Sequence, residues 1–165
     1  MKFVTDLSKG ILGSPDSSEL WEIITSYIPD SVLLQPNVKI LIIASGHCTE
    51  AIIIAKRMIK LGVSKEKVRD AFYLIDKYRV FTNYAKSTFG FKNVFAVDFL
   101  KWSPNNRITE DFMDWTEHKN FDIIVGNPPF QDGNRDDEAN KLWPLFIRKA
   151  NSLLNPNGYA AFITP

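Results

Sequence analysis

The chain has 165 residues, 45% of them hydrophobic and 24% charged, with a formal net charge of +1. That length fits one domain with a real core, and the charge leaves no global basic field that advertises nucleic acid, although a separate module is free to supply phosphate contacts. One cysteine, Cys48, excludes an intrachain disulfide framework and a cysteine zinc cluster, while the amino terminus lacks a signal-peptide core and no apolar run is long enough to span a bilayer. A reducing, cytoplasmic setting without a membrane partner is the expectation.

Helical and strand-like patterns alternate, with no internal repeat. In DSSELWEIITSYIP, the spacing of Leu20, Ile23, Ile24, Tyr27 and Ile28 predicts a helix over about 16–29, opened by Asp16 with Glu19 and stopped by Pro29. The core then extends over 37–165, within a single domain of 1–165. VKILIIAS is a short continuous apolar run and predicts a strand buried on both faces. TEAIIIAKRMIKLG predicts a helix, with Gly62 at its left-handed end. DAFYLID follows as a strand, KYRVFTNYAKSTFG as a helix closed by Gly90, and NVFAVD as a third strand. A polar stretch carrying Trp102 and Trp115 holds a short helix around 109–117. FDIIV is the fourth strand. DEANKLWPLFIRKANSLL is a helix that Pro144 kinks or starts late, NPNG a turn, and YAAFITP the last strand.

This order predicts an α/β fold, a Rossmann-like doubly wound and mostly parallel sheet with ligands at the carboxyl ends of its strands. The chemically suggestive residues fall at those ends: Ser45 and Gly46 after the first strand, Asp76 after the second, Asp98 after the third and Asn127 after the fourth.

The fourth end, Gly126-Asn127-Pro128-Pro129-Phe130, carries most. Two prolines freeze the backbone and hold the preceding residues extended. The Asn127 amide oxygen and the Pro128 carbonyl are then two fixed acceptors, a match for an amine with two hydrogens to donate. Phe130 adds a flat face, and base–aromatic stacking contributes roughly 1–3 kcal/mol. The plainer reading is a rigid turn. Asp76 reads either as an acceptor for ribose hydroxyls or as a helix N-cap, and Asp98 as a ligand contact or a strand-end turn residue. A metal or nucleophile role for His47 and Cys48 lacks further cysteines, and His118 is distant in sequence. Trp102, Trp115 and Trp143 read as packing beside the sheet rather than as a DNA face, and the run DGNRDDE reads as a polar loop.

NPPF after an apolar strand, extended as FDIIVGNPPFQ…LWPLFIRKANSLLNPNGYAAFITP, resembles the N6-adenine-specific DNA methyltransferases of restriction–modification systems, an NPPF/NPPY amino-methyltransferase family that uses S-adenosylmethionine. Relatives methylate guanine N2 in RNA or glutamine in protein. The resemblance runs from about residue 14 to 165. It implies a class I methyltransferase sheet, here without its last two strands. A catalytic-domain fragment with an exposed sheet edge that invites association is therefore expected. It implies that Asn127, Pro128, Pro129 and Phe130 hold and stack a flipped adenine. Ser14, Pro15, Ala44, Ser45, Gly46, Asp76, Asp98, Phe99 and Asn127 would hold the cofactor. No metal and no covalent protein intermediate are implied, and the partner is DNA, bound through a recognition module outside this chain. RNA or protein-glutamine methylation, and a catalytically silent cofactor- or DNA-binding module, are the alternatives. The loop after the first strand departs from the family's D-P-A-C-G-S-G. Ile42 stands where an acid is common, and Cys48 where a second glycine is common, so the Cys48 side chain is expected to narrow the space for the methionine part of the cofactor.

Overall fold

The run Ile40–Ile43 forms β1, and all four of its side chains are buried. A strand covered on both faces has no solvent position, which is why its apolar residues do not alternate with polar ones. In this computed structural model, which describes residues 17–101, 120–129 and 141–164, β1 pairs in parallel with β2 (Phe72–Asp76) on one side and β4 (Phe121–Gly126) on the other. With β3 (Asn93–Ala96) and β5 (Leu154–Phe162) the order is β3-β2-β1-β4-β5, every pairing parallel. This is the Rossmann-like doubly wound α/β fold, whose strand order reverses between β1 and β4.

Side-chain alternation sorts the core into two layers. Ile40, Ile42, Leu74 and Val125 face α1 (Ser17–Ser26) and α3 (Thr49–Lys60), together with Trp21, Ile24, Ile54 and Met58. Leu41, Ile43, Ile75 and Ile124 face the other way, onto Phe146 and Ala150 of α6 (Trp143–Leu153). Among the described residues no helix is long and apolar enough to cross a membrane.

Several boundaries differ from the sequence expectation, each for a local reason. The first helix stops at Ser26, short of Pro29, because Thr25 and Ser26 turn their hydroxyls onto the carbonyls of Trp21 (2.6 Å) and Ile23 (2.7 Å). A separate turn, α2 (Asp30–Leu33), follows Pro29. Residues Lys65–Ala71 form a further helix, α4, which the sequence reading missed by running Asp70 and Ala71 into β2. Its start is marked by Ser64, whose hydroxyl accepts the Lys67 N–H at 3.3 Å. The helix after β2 is α5 (Arg79–Tyr84), which widens into a π-helical turn over Ala85–Phe89 before Gly90 closes it with φ +69°. In α6, Pro144 sits in the first turn, where its missing N–H costs nothing. The NPNG turn lies inside β5: Leu154 pairs with Phe121 and Tyr159 with Ile123, so the intervening residues bulge, with Asn157 left-handed at φ +66°. The helix expected at 109–117, Trp102, Trp115, His118 and the DGNRDDE loop lie outside the described residues.

Candidate active site

The residues that follow β1 and β2 meet at the carboxyl edge of the sheet. Asp76 ends β2 and is buried, and both of its carboxylate oxygens are used by backbone. Oδ2 accepts the N–H of Gly46 at 2.9 Å, and Oδ1 accepts that of Tyr78 at 2.8 Å. The side chain therefore ties the loop after β1 to the turn before α5. It is not the N-cap of α5, a position that Tyr78 takes.

The loop itself, residues 44–48, alternates through the left-handed region: Ala44 at φ +55°, Gly46 at +44° and Cys48 at +64°. Only glycine adopts such angles without penalty, and a non-glycine residue there costs about 1–3 kcal/mol. Cys48 thus keeps the backbone of a glycine, and its side chain goes into the hydrophobic layer beneath α1 and α3, fully buried. The thiol also lies beside Ser45, Glu50 and Asp76, at the same corner of the sheet edge. Burial, with the Glu50 and Asp76 carboxyls adding to it, pushes the thiol up to about 12, so Cys48 is no nucleophile at neutral pH. His47 is exposed and lies edge-on to Phe81 (5.2 Å) and Tyr84 (6.1 Å). Among the described residues no three His, Cys, Asp or Glu side chains gather as a metal site requires.

Two polar groups in this corner are buried. Ser45 Oγ, in a residue 2% exposed, finds no hydrogen-bond partner of ordinary geometry among the described residues; only the weakly donating Cys48 thiol lies beside it. Glu50, in the first turn of α3, is 5% exposed, and burial, then the nearby Asp76 charge, push its carboxyl up to about 8. The sequence reading passed over Glu50, because an acid in the first turn of a helix is ordinary dipole complementation on an exposed face.

Asp98, after β3, is half-buried. Its Oδ1 accepts the Leu100 N–H at 3.1 Å, which makes it a turn-forming residue in its present contacts. Backbone joins it to the same edge, since Val97 N–H donates to Asp76 O at 2.9 Å. Phe99 is buried in the second layer, stacked on Phe146 with centroids 5.4 Å apart, and Lys149 lies over its ring at 5.1 Å. Lys149 also donates to the carbonyls of Phe99 and Leu100.

Across the reversal point, β4 delivers Asn127. Gly126 pairs with Ile43, and a Cβ on it would meet the Ile43 carbonyl oxygen at 2.6 Å, so the two strands approach as only glycine permits. Asn127 is half-buried, Pro128 buried and Pro129 exposed. Beyond them, Ile163 N–H donates to Gly126 O at 3.2 Å, which extends the sheet to the end of β5. The structure therefore brings Ala44, Ser45, Gly46, Asp76, Asp98 and Asn127 to one edge, sends Phe99 into the core, and describes neither Phe130 nor Ser14 and Pro15. A cleft of about 610 Å³ between the segment before β1 and the start of α4, lined by Pro36, Lys39, Gly62 and Lys67, opens at the amino ends of the strands. Ligands of open α/β sheets bind at the opposite ends, so the carboxyl edge is the stronger candidate.

No curated protein sequence matches this chain. Among solved structures it is similar to one described as a protein-L-isoaspartate O-methyltransferase (beta-aspartate methyltransferase) from Plasmodium falciparum in complex with S-adenosyl-L-homocysteine. That match has a TM-score of 0.49 and 16% identity, covers 98% of this chain, and spans 65% of the other protein's length. Residues 48–165 match the family described as Eco57I restriction-modification methylase. The matched region starts at Cys48 and takes in α3, β2, the Asn127 strand and β5, so the chain belongs to the Eco57I restriction-modification methylase family, a family of methyltransferases.

Proposed function

We propose that this chain is the catalytic core of an S-adenosylmethionine-dependent enzyme that methylates the exocyclic N6 amine of an adenine flipped out of DNA. The observation that carries the reading is Asn127-Pro128-Pro129 at the carboxyl end of β4, across the reversal point from the Ala44–Gly46 turn. An amine placed between the Asn127 side-chain oxygen and the Pro128 carbonyl would donate both hydrogens, leaving its lone pair directed at an electrophile. The prolines hold those acceptors still. Adenine N6 in a duplex is engaged in pairing, so the base has to leave the stack, and Phe130 is the next residue in the chain on which it would stack.

The cofactor fits the residues present. Ser45 Oγ is a buried hydroxyl in want of a partner, and each Asp76 oxygen takes one described N–H and retains capacity for ribose hydroxyls. At Gly46 the nearest atom to an added Cβ is 4.0 Å away, which leaves the backbone open to close approach. When bound, the cofactor supplies a methyl group on a positively charged sulfur. Ala44, Ser45, Gly46, Asp76 and Asp98 would hold it, and Asn127 would orient the accepting amine. DNA would be gripped by a recognition module outside this chain.

The test is methyl incorporation from radiolabelled S-adenosylmethionine into an adenine-containing duplex, with base analysis of the product. Methylated N6 is expected, together with a loss of roughly 10²–10³-fold in Asn127→Ala at unchanged thermal stability, the scale of losing one oriented polar group in an active site. Preserved activity in Asn127→Ala would sink the clamp. Incorporation into RNA or protein alone would move the substrate class. No transfer to any of the three by a chain that binds the cofactor would leave a silent binding module.

A further inference from the structure

The loop after β1 carries a feature that the proposed methyl transfer does not itself require. Three acidic or weakly acidic side chains, Cys48, Glu50 and Asp76, are buried together, and Ser45 Oγ lies beside them without an ordinary partner. Asp76 is held by two backbone N–H groups, as a carboxylate should be. Among the described residues no basic group acts on Glu50. The described groups beside it are Asp76 from the end of β2, whose charge disfavours its ionisation, and the neutral Cys48 thiol from the loop. From α1, which packs along α3, Glu19 and Glu22 turn to solvent, as does Arg79 at the start of α5. A carboxyl buried beside a second carboxylate, with no cation beside it among the described residues, is predominantly neutral at pH 7.

Such an arrangement is unfavourable for the charged form until something positive enters. We propose that Glu50 and Ser45 form a subsite for a cationic group of the bound ligand, and that Glu50 releases its proton to solvent when that group arrives. The inference rests on the cofactor reading above, since S-adenosylmethionine carries two cationic centres, an ammonium and a sulfonium. Arrival of either beside Glu50 replaces an unfavourable burial by an ion pair, and the position of Glu50 in the first turn of the 12-residue α3 favours the resulting anion further. Ser45 contributes a hydroxyl that accepts from an ammonium or orients the Glu50 carboxylate.

The experiment is calorimetric titration of the whole chain with S-adenosylmethionine at pH 6.5, repeated in two buffers of different ionisation enthalpy. The difference in apparent heat counts the protons released. Release approaching one proton is expected, with affinity rising close to tenfold between pH 6 and pH 7. In Glu50→Gln, binding should persist, weakened, with the release and the pH slope abolished. In His47→Gln, which removes the neighbouring imidazole, the release should remain. S-adenosylhomocysteine, which keeps the ammonium and lacks the sulfonium, separates the two cations: release with both ligands assigns the ammonium, and release with S-adenosylmethionine alone assigns the sulfonium. Binding without proton release, or release undiminished in Glu50→Gln, overturns the proposal while leaving the cofactor reading intact. Absence of binding at every pH overturns both.

Discussion

Asp76 Oδ2 accepts the backbone N–H of Gly46 at 2.9 Å, across the gap between the ends of β2 and β1. One side chain thereby fixes the conformation of a loop 30 residues away in sequence, and its other oxygen fixes the turn into α5. The carboxylate is a structural tie as well as a candidate ligand contact, and the two roles separate experimentally. Charge-assisted hydrogen bonds contribute roughly 1.5–3 kcal/mol each. Asp76→Asn keeps one acceptor oxygen and the shape, and should lower stability to urea by about 1–2 kcal/mol. Cofactor binding should fall further, by about 10- to 100-fold, because both the loop and the hydroxyl acceptor are lost. Equal losses in both measurements would reduce Asp76 to a structural tie.

Gly126→Ala tests whether the β1–β4 junction is as tight as the geometry says. The added methyl carbon would stand 2.6 Å from the Ile43 carbonyl oxygen, and backbone has no rotamer with which to move aside. Overpacking of this kind costs typically 1–3 kcal/mol. Urea denaturation should show that loss, and it should displace Asn127, the next residue, enough to lower methyl transfer more than stability alone explains. A variant as stable and as active as the wild type would mean that the strands separate at no cost.

What was legible beforehand follows from range of interaction. The strands were visible as apolar runs because burial on both faces leaves a one-dimensional mark, and Gly62 and Gly90 marked helix ends because left-handed backbone demands them. The parallel sense of the sheet followed from alternation, whereas the strand order β3-β2-β1-β4-β5 came only with the structure. Helix α4 escaped because it is short and polar, and its one clear sign, Ser64 as N-cap, was passed over. Cys48 was legible as a substituted glycine but not in its surroundings: at φ +64° its side chain is buried with the hydrophobic layer and beside Ser45, Glu50 and Asp76, a meeting that only the tertiary fold creates. Glu50 left no mark, since only the tertiary meeting of α3 with the end of β2 takes water away from it. Gly126 was an available sign that went unused, as glycine inside a strand pattern points to close backbone approach.

Arg57 is the clamp between the first helix and α3. Its guanidinium donates to the carbonyl of Thr25 (2.8 Å), which also accepts the Ile28 N–H (3.1 Å), to the carbonyl of Ile28 (2.7 Å), and to Asp30. Asp30 is half-exposed, with a side chain 52% accessible, so the ion pair itself contributes little. The carbonyl contacts carry more, because they hold the chain that leaves α1 against α3 with two charge-assisted hydrogen bonds. Arg57→Ala should therefore cost about 2 kcal/mol in urea denaturation and Asp30→Asn under about 1 kcal/mol. Arg57→Lys, a point charge in place of a fork, should recover less than half of the loss. If Asp30→Asn matched Arg57→Ala, the ion pair rather than the cap would be the clamp.

Glu50 also makes a prediction about pH, independent of any ligand. Its carboxyl lies near 4.5 when unfolded and about 8 when folded, so between those values the folded chain binds the proton more tightly than the unfolded chain does. Stability from this group is then fully present below pH 4.5 and is lost as pH rises through about 8. The loss approaches roughly 1.4 kcal/mol per pH unit within the window. Glu50→Gln keeps the neutral shape and removes the titration. Its urea midpoint should match that of the wild type near pH 5 and exceed it by a growing margin up to pH 8. Cys48, whose thiol titrates only from 9.0 upward, stays out of that range. Parallel pH curves for the two proteins would show that Glu50 ionises freely in the folded chain, and would remove the basis of its role as a proton-releasing partner for a cation.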